Sequence, residues 1–227
     1  EDEALLIVDK PSGLAVHGGS GIALGVIETL RIARPELKFL ELVHRLDRDT
    51  SGVLLLAKKR SALVELHRQI RENQTDKRYY LLAHGEIKQG AQVMQLKYPL
   101  HKYLLANGER RVRVDPEGLP SHTALRVSKV MKRDDAAITL AEAQLKTGRT
   151  HQIRVHLQKL GHAILGDDKY GFEDQDKQIK SKRLYLHAHL AGFTHPRTGE
   201  KMRIESPIPA EFTAMMKTFE QVNSTQE

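Results

Sequence analysis

Two aspartates, Asp47 and Asp49, stand two residues apart in His44-Arg45-Leu46-Asp47-Arg48-Asp49-Thr50-Ser51-Gly52, among the cations Arg45 and Arg48. A guanidinium near a carboxyl group favours its charged form, so the pattern suits a carboxylate that works as an anion. The apolar run Val53-Leu54-Leu55-Leu56-Ala57 follows at once, which mounts the charged loop on a strand entering a core. A carboxylate held on so rigid a platform could ligate a cation, carry a phosphoryl group or attack carbon.

Each chemistry makes further demands. Asp47, Asp49, Ser51 and Gly52 occupy positions one, three, five and six of a calcium loop, but the twelfth, which needs a bidentate acid, is Lys58. An aspartyl-phosphate transferase would want an Asp-x-Asp pair after a strand, and Gly166-Asp167-Asp168 could supply a magnesium-binding acid. The chain lacks the regular β-α alternation of such parallel-sheet enzymes, which disfavours that chemistry as well.

The 227 residues suffice for one large catalytic domain, and 36 Lys and Arg against 29 Asp and Glu leave a formal charge of +7, which suits a polyanionic partner such as nucleic acid. Cysteine is absent, which excludes disulfides, thiolate catalysis and cysteine-ligated zinc. No apolar stretch approaches the ~20 residues that span a bilayer, and a soluble cytoplasmic protein is the expectation. The chain opens on Glu1-Asp2-Glu3 with no initiator Met and reads as a piece of a longer protein.

Periodicity supplies the elements that must position these groups. Strands are expected at Leu5 to Asp9, Gly52 to Lys58, Arg78 to His84, Arg110 to Asp115, Thr123 to Met131 and Ala136 to Leu145. Two more, Leu184 to Thr194 and Lys201 to Glu205, flank the hairpin signal Pro196-Arg197-Thr198-Gly199. Helical spacing of Leu63, Leu66 and Ile70 predicts a helix from Ser61 to Asn73 with Ser61 as N-cap. Beyond Thr150, taken as a second N-cap, Ile153, Leu157 and Leu160 share a helical face ending at Gly161, with Arg154 on the other face. Alternation of Ile153, Val155 and Leu157 leaves a strand open there. Phe212, Met215, Met216, Phe219 and Val222 predict a closing amphipathic helix, and the tail Asn223 to Glu227 is expected to fray. The class is mixed α+β.

The segment from His44 to Gly52 resembles the H-R-L-D-x-x-T-S-G signature of the RluA-type pseudouridine synthases. Further segments match in order: Lys10-Pro11-Ser12-Gly13, Lys77-Arg78-Tyr79, Gly148-Arg149-Thr150-His151-Gln152-Ile153-Arg154-Val155-His156, Gly166-Asp167-Asp168-Lys169-Tyr170-Gly171 and Leu186-His187-Ala188. Through Val16-His17-Gly18-Gly19-Ser20-Gly21 and Arg48-Asp49 the chain is most similar to the bacterial large-subunit ribosomal RNA enzymes of the C type. Members of that branch commonly carry an N-terminal S4-like RNA-binding domain, which is expected to be missing here, leaving 1–227 as the catalytic domain.

The resemblance implies a long mixed, mostly antiparallel sheet flanked by helices, with a basic catalytic cleft. It implies isomerisation of uridine to pseudouridine in large-subunit ribosomal RNA, with no metal and no organic cofactor. Since no exposed apolar helix or coiled-coil pattern demands a partner, a monomer is the simplest expectation. Asp47 then corresponds to the catalytic acid, Arg154 to the basic partner that holds it, and Tyr79 to the aromatic beneath the target base. Arg45 resembles the side chain that fills the stack vacated by a flipped base. Arg48, Arg149, Lys58 and Lys169, with Lys59 and Arg60, are candidates for phosphate contacts. Asp49 reads as structural, His187 and His189 as hydrogen-bonding groups despite their metal-like spacing, and His151 and His156 stay ambiguous. The rival from another class is an RNA-binding module that acts in ribosome assembly without chemistry.

Overall fold

The computed structural model describes residues 1–19, 24–88 and 92–220. The first elements are β1 (Leu5–Lys10), α1 (Val26–Ala33), β2 (Glu41–Leu42), β3 (Ser51–Ala57) and α2 (Arg60–Arg71). Next come β4 (Asp76–His84), β5 (Met94–Leu96), β6 (Leu100–Leu104), β7 (Arg110–Val114), β8 (Thr123–Arg133) and β9 (Ala136–Leu145). Then follow α3 (Gln152–Lys159), α4 (Glu173–Ile179), β10 (Leu186–Thr194), β11 (Lys201–Glu205) and α5 (Ala210–Glu220). The class is α+β, as the periodicity indicated.

The chain divides into two compact units, Glu1–Lys77 with Ala188–Pro207, and Arg78–His187 with Ile208–Glu227. In the first unit every residue of β3 is buried, because its run of Val and Leu is apolar on both faces. β1 pairs with it antiparallel from Leu5 opposite Ala57 to Lys10 opposite Gly52. β2 pairs with β3 as well, β10 is its neighbour, and β11 pairs antiparallel with β10. Ala62 and Leu66 of α2 join Leu5, Val53, Leu55, Ala191 and Phe193 in one core.

In the second unit the strands follow the order β4-β9-β8-β5, and β6 with β7 forms a separate antiparallel ribbon. β8 and β9 make a long hairpin with a bulge between Val127 and Lys129. Phe212 and Phe219 of α5 are fully buried.

Several expectations need correction. α2 begins at Arg60 behind Lys59, so Ser61 lies inside the helix. It ends in a Schellman motif, with Asn73 left-handed at φ 56° and the Gln74 N–H bonded to the Gln69 carbonyl at 2.8 Å. Residues 152–159 are helical, which settles the open choice against a strand. The residue before that helix is His151, not Thr150, and it makes no side-chain cap bond; the Gln152 side chain instead ties down the approach to the helix. Gln152 Oε1 accepts from the Arg149 N–H at 3.0 Å and from Thr147 Oγ1 at 2.8 Å. Gly161 follows as the left-handed C′ residue, with φ 86°. α1, β2, β5, β6 and α4 were not anticipated. α4 has no apolar periodicity to find, and is tied down by Asp176, which bonds the Gly166 N–H and His84 Nε2. Ser20, Gly21 and the tail from Asn223 lie outside the described residues.

Gly52 is required twice over. Its φ is +112°, and a Cβ there would sit 2.2 Å from the Ala188 carbonyl oxygen of β10. We therefore expect Gly52→Ala to cost at least about 3 kcal/mol, strain and backbone overlap together. Urea denaturation checks this, and a wild-type midpoint would contradict it.

Candidate active site

The signature loop leaves β2 and turns back into β3. The Val43 N–H donates to the Leu55 carbonyl at 3.0 Å, and the Leu55 N–H donates to His44 Nε2 at 3.2 Å. That second bond needs a lone pair on Nε2, hence a neutral imidazole. Burial pushes the His44 ionisation down to about 4, with the nearby Lys77 ammonium adding to the shift and a backbone bond at Arg45 opposing it. The first residue of the signature is thus a structural acceptor. Lys77, which opens the Lys77-Arg78-Tyr79 segment, is itself lowered by burial.

Leu46 is buried and half-buried Asp47 follows it. The Asp47 carbonyl accepts the Thr50 N–H at 3.1 Å, closing a tight turn over residues 47–50. A second loop clamps this turn. Lys10 is 1% exposed, and its ammonium donates to the carbonyls of Pro11, Leu14 and Arg48 at 2.9, 2.7 and 2.9 Å. The Gly13 N–H donates to the Arg48 carbonyl at 3.0 Å, and Ser12 Oγ donates to the Asp49 carbonyl at 2.7 Å. Every member of Lys10-Pro11-Ser12-Gly13 except the proline therefore donates to the signature loop. The two carboxylates differ accordingly: Asp49 is paired with the adjacent Arg48 at 3.3 Å, while Asp47 stands at the head of the turn.

The loop's cations are outward. Arg45 and Arg48 are exposed, and Arg45 Nη1 lies 3.4 Å from His17 Nε2. Lys58 is elsewhere: it lies past the far end of β3, roughly 20 Å of strand from the signature loop. Its ammonium bonds the Glu1 carboxylate at 2.7 Å and the Asp2 carbonyl at 2.5 Å. Lys59 pairs with Glu3 at 3.7 Å at the same end.

In the second unit, Tyr79 is buried in β4 with 8% exposure, and Tyr80 takes the opposite strand face. Arg154 is also buried, at 2% exposure, although it lies off the apolar face of α3. Asp167 makes that burial tolerable. It takes Arg154 Nε on Oδ2 at 2.7 Å and Nη2 on Oδ1 at 2.6 Å, a bidentate pair, and Asp168 accepts from Nη2 at 3.0 Å. Asp167 follows Gly166, whose φ is +69° and whose Cβ would fall 1.8 Å from the Arg183 carbonyl oxygen. Asp167 Oδ1 also accepts the N–H groups of Lys169 and Tyr170, both at 3.0 Å. The Lys169 ammonium is paired with Glu109, and Arg149 is exposed, with Nε on the Pro120 carbonyl at 3.2 Å.

His156 Nε2 lies 2.8 Å from Ser121 Oγ and 3.1 Å from the Tyr98 carbonyl, and burial lowers its ionisation. His187 and His189 are buried in β10. Among the described residues no three His, Cys, Asp or Glu side chains are grouped to hold a metal ion. Sequence reasoning assigned no role to Lys10, His44, Asp167 or Tyr170, although all four stand inside the matched segments.

A family model described as RNA pseudouridylate synthase matches residues 4–159. A Pasteurella multocida protein named ribosomal large subunit pseudouridine synthase C is 50% identical over 228 residues, covering 99% of this chain and 68% of that protein. Proteins of the same name from Salmonella typhimurium and Escherichia coli K12 are 54% and 53% identical over 213 residues, covering 92% of this chain and 65% of their own length. The chain thus spans about two thirds of the relatives it matches. Two solved structures, human RNA pseudouridylate synthase domain containing 1 and 4, superpose with TM-scores of 0.74 at 24% identity. They cover 91% and 97% of this chain, and 81% and 91% of their own. At that identity they bear on the fold alone.

The depressed His44 ionisation gives stability a pH dependence of definite sign. Above pH 6.5 the imidazole is neutral whether the chain is folded or not. Between 6.5 and about 4 the unfolded chain takes up a proton that the folded site refuses, so stability falls with pH and levels off below 4. The loss between pH 6.5 and 5 should be about 1.5 kcal/mol. Urea unfolding at both pH values should show it in wild type and lose most of it in His44→Gln, which keeps an acceptor for Leu55. Equal losses in the two proteins would refute the assignment.

Proposed function

The chain belongs to the RNA pseudouridylate synthase family, and we propose that it converts uridines of large-subunit ribosomal RNA to pseudouridine. What carries the reading is the Asp47 turn, clamped by the buried Lys10 ammonium and the Ser12 hydroxyl, in a chain half identical to relatives bearing that activity in their name. On this reading residues 1–227 are the catalytic part, one copy suffices, and the work is done in the cytoplasm where ribosomes assemble.

In the reaction the C1′–N1 bond of uridine breaks, a C1′–C5 bond forms, the proton leaves C5 and N1 gains one. No electron is transferred and nothing is consumed. Asp47 supplies the carboxylate, acting as nucleophile or as base at the ribose. Tyr79 stacks beneath the uracil, holds it while it turns, and has its hydroxyl placed for proton transfer. On this reading Arg154 is the basic partner of the catalytic carboxylate, keeping Asp47 charged and aimed.

A uridine within folded RNA must leave its stack to reach a carboxylate set in a turn, and exposed Arg45 takes the vacated place. Arg48 and Arg149, both exposed, contact phosphates. Lys169, paired with Glu109, is a weaker candidate, and Lys58 with Lys59 is dropped from the set because of its place at the other end of β3.

Release of tritium from C5-tritiated uridine in large-subunit ribosomal RNA tests the reading. Wild type should release it, and Asp47→Asn should release none while binding the RNA within a few fold, since phosphate contacts dominate affinity. RNA binding by wild type without release would favour the non-catalytic module instead. Arg45→Ala should slow turnover on folded RNA by about tenfold more than on an unstructured strand, where flipping costs less. Equal slowing on both substrates would exclude a wedge.

A further inference from the structure

Tyr170 is 4% exposed and touches two elements at once. Its ring centre lies 5.3 Å from the guanidinium carbon of Arg154 on α3 and 5.7 Å from that of Arg111 on β7. Leu100, Val112 and Val155 pack with it in a small core of their own, with Val114 against them. A phenylalanine would satisfy that packing and both cation contacts. The hydroxyl is therefore the informative part.

A buried hydroxyl is costly unless it is bonded, and this one has two partners. The Val112 N–H can only donate, at 2.9 Å, so the phenol oxygen accepts there. His151 Nδ1, at 2.7 Å, is the partner left for the hydroxyl proton, and that donated bond requires the imidazole to carry its own proton on Nε2. Burial drives the Tyr170 ionisation up to about 12, so the proton is present throughout the working range.

His151 is held in a conformation it would not choose. Its φ is +52°, left-handed, and it is the residue from which α3 starts, three positions before Arg154. Non-glycine residues stay in that region only when their surroundings enforce it. Tyr170 supplies part of that enforcement through the imidazole, and it lies under Arg154 as well.

We propose that Tyr170 is a positioning residue of the active site, its hydroxyl and ring together setting the His151 imidazole and the Arg154 guanidinium in one fixed relation. Arg154 then has three supports: Asp167 and Asp168 on one edge and Tyr170 under its plane. The inference rests on Arg154 belonging to the site, as read above.

The test is a double-mutant cycle on the full chain, scoring pseudouridine formation in a transcribed large-subunit ribosomal RNA fragment. Tyr170→Phe should lower kcat about tenfold with KM within twofold, and Tyr170→Leu should lower it further. In an Arg154→Lys background, which keeps the charge and loses the fork, Tyr170→Phe should cost less than about twofold more. Wild-type kcat in Tyr170→Phe, or its full penalty again in the Arg154→Lys background, would overturn the proposal. Should Tyr170→Leu fail to fold, the Tyr170→Phe cycle decides alone.

A second readout does not depend on activity. Nitrogen-15 NMR should show His151 as the Nε2–H tautomer in wild type and as a mixture in Tyr170→Phe, with faster exchange of the Arg154 Nε–H. An unchanged tautomer and unchanged exchange would overturn the positioning role. Absence of pseudouridine formation by wild type would instead overturn the proposed function, leaving the NMR comparison to judge the positioning.

Discussion

A buried ammonium must be surrounded by acceptors, and the way Lys10 meets that demand fixes the signature loop. Three carbonyls converge on its Nζ, one from the signature loop and two from its own. Removing any of them would leave a charge poorly solvated in the interior, a penalty of several kcal/mol. The loops at Pro11–Leu14 and Arg48 are therefore not independent. Register makes the convergence possible: β1 pairs with β3 so that Lys10 falls opposite Gly52, at the point where the signature enters the sheet. A slip of one residue would turn Lys10 to the other face and dissolve the clamp.

The second unit applies the same logic to Arg154. A guanidinium at 2% exposure needs counter-charge in a geometry that matches its planar fork, and Asp167 provides it on two nitrogens. Asp167 is oriented in turn by the N–H groups of Lys169 and Tyr170, and its place depends on a left-handed Gly166 that admits no side chain. Buried pairs of this kind contribute little net stability, because desolvation offsets attraction. What they supply is uniqueness of geometry, since few alternative arrangements satisfy every group. That is the property an active site requires.

Much of this was legible in the sequence where apolar periodicity or turn chemistry speaks. Ala136 to Leu145 and Lys201 to Glu205 are strands with the bounds their patterns gave, and the hairpin at Pro196 to Gly199 follows from its turn residues. α4 and β6 were not legible, because Glu173-Asp174-Gln175-Asp176 and His101-Lys102 carry no apolar stripe and owe their form to tertiary bonds and strand pairing. Both misplaced caps have one cause: Ser61 and Thr150 are good capping types, but α2 starts behind Lys59 and α3 behind His151, neither with a side-chain cap. The matched motifs marked the segments that carry these buried groups. They did not reveal that Lys10, His44 and Asp167 are there to satisfy buried polar groups, since that follows from contacts between segments far apart in the chain.

The surplus of positive charge shows the same gap between composition and structure. A formal +7 suggests many side chains ready for phosphates, yet Lys58 is engaged by Glu1, Lys169 by Glu109, Arg113 by Asp115 and Arg68 by Glu65 and Glu72. A cation already paired with a carboxylate releases fewer counterions from RNA than one that meets the phosphate alone, and so adds less to affinity. Buried Arg154 and Lys10 add still less, for their charge is spent on internal acceptors. On the proposed function, the basic residues that meet RNA are then set by position rather than number. Arg45 stands outward on a loop whose backbone is clamped, with Arg48 beside it shared with Asp49, and a clamped backbone leaves an exposed arginine only its side-chain freedom to lose on meeting a phosphate.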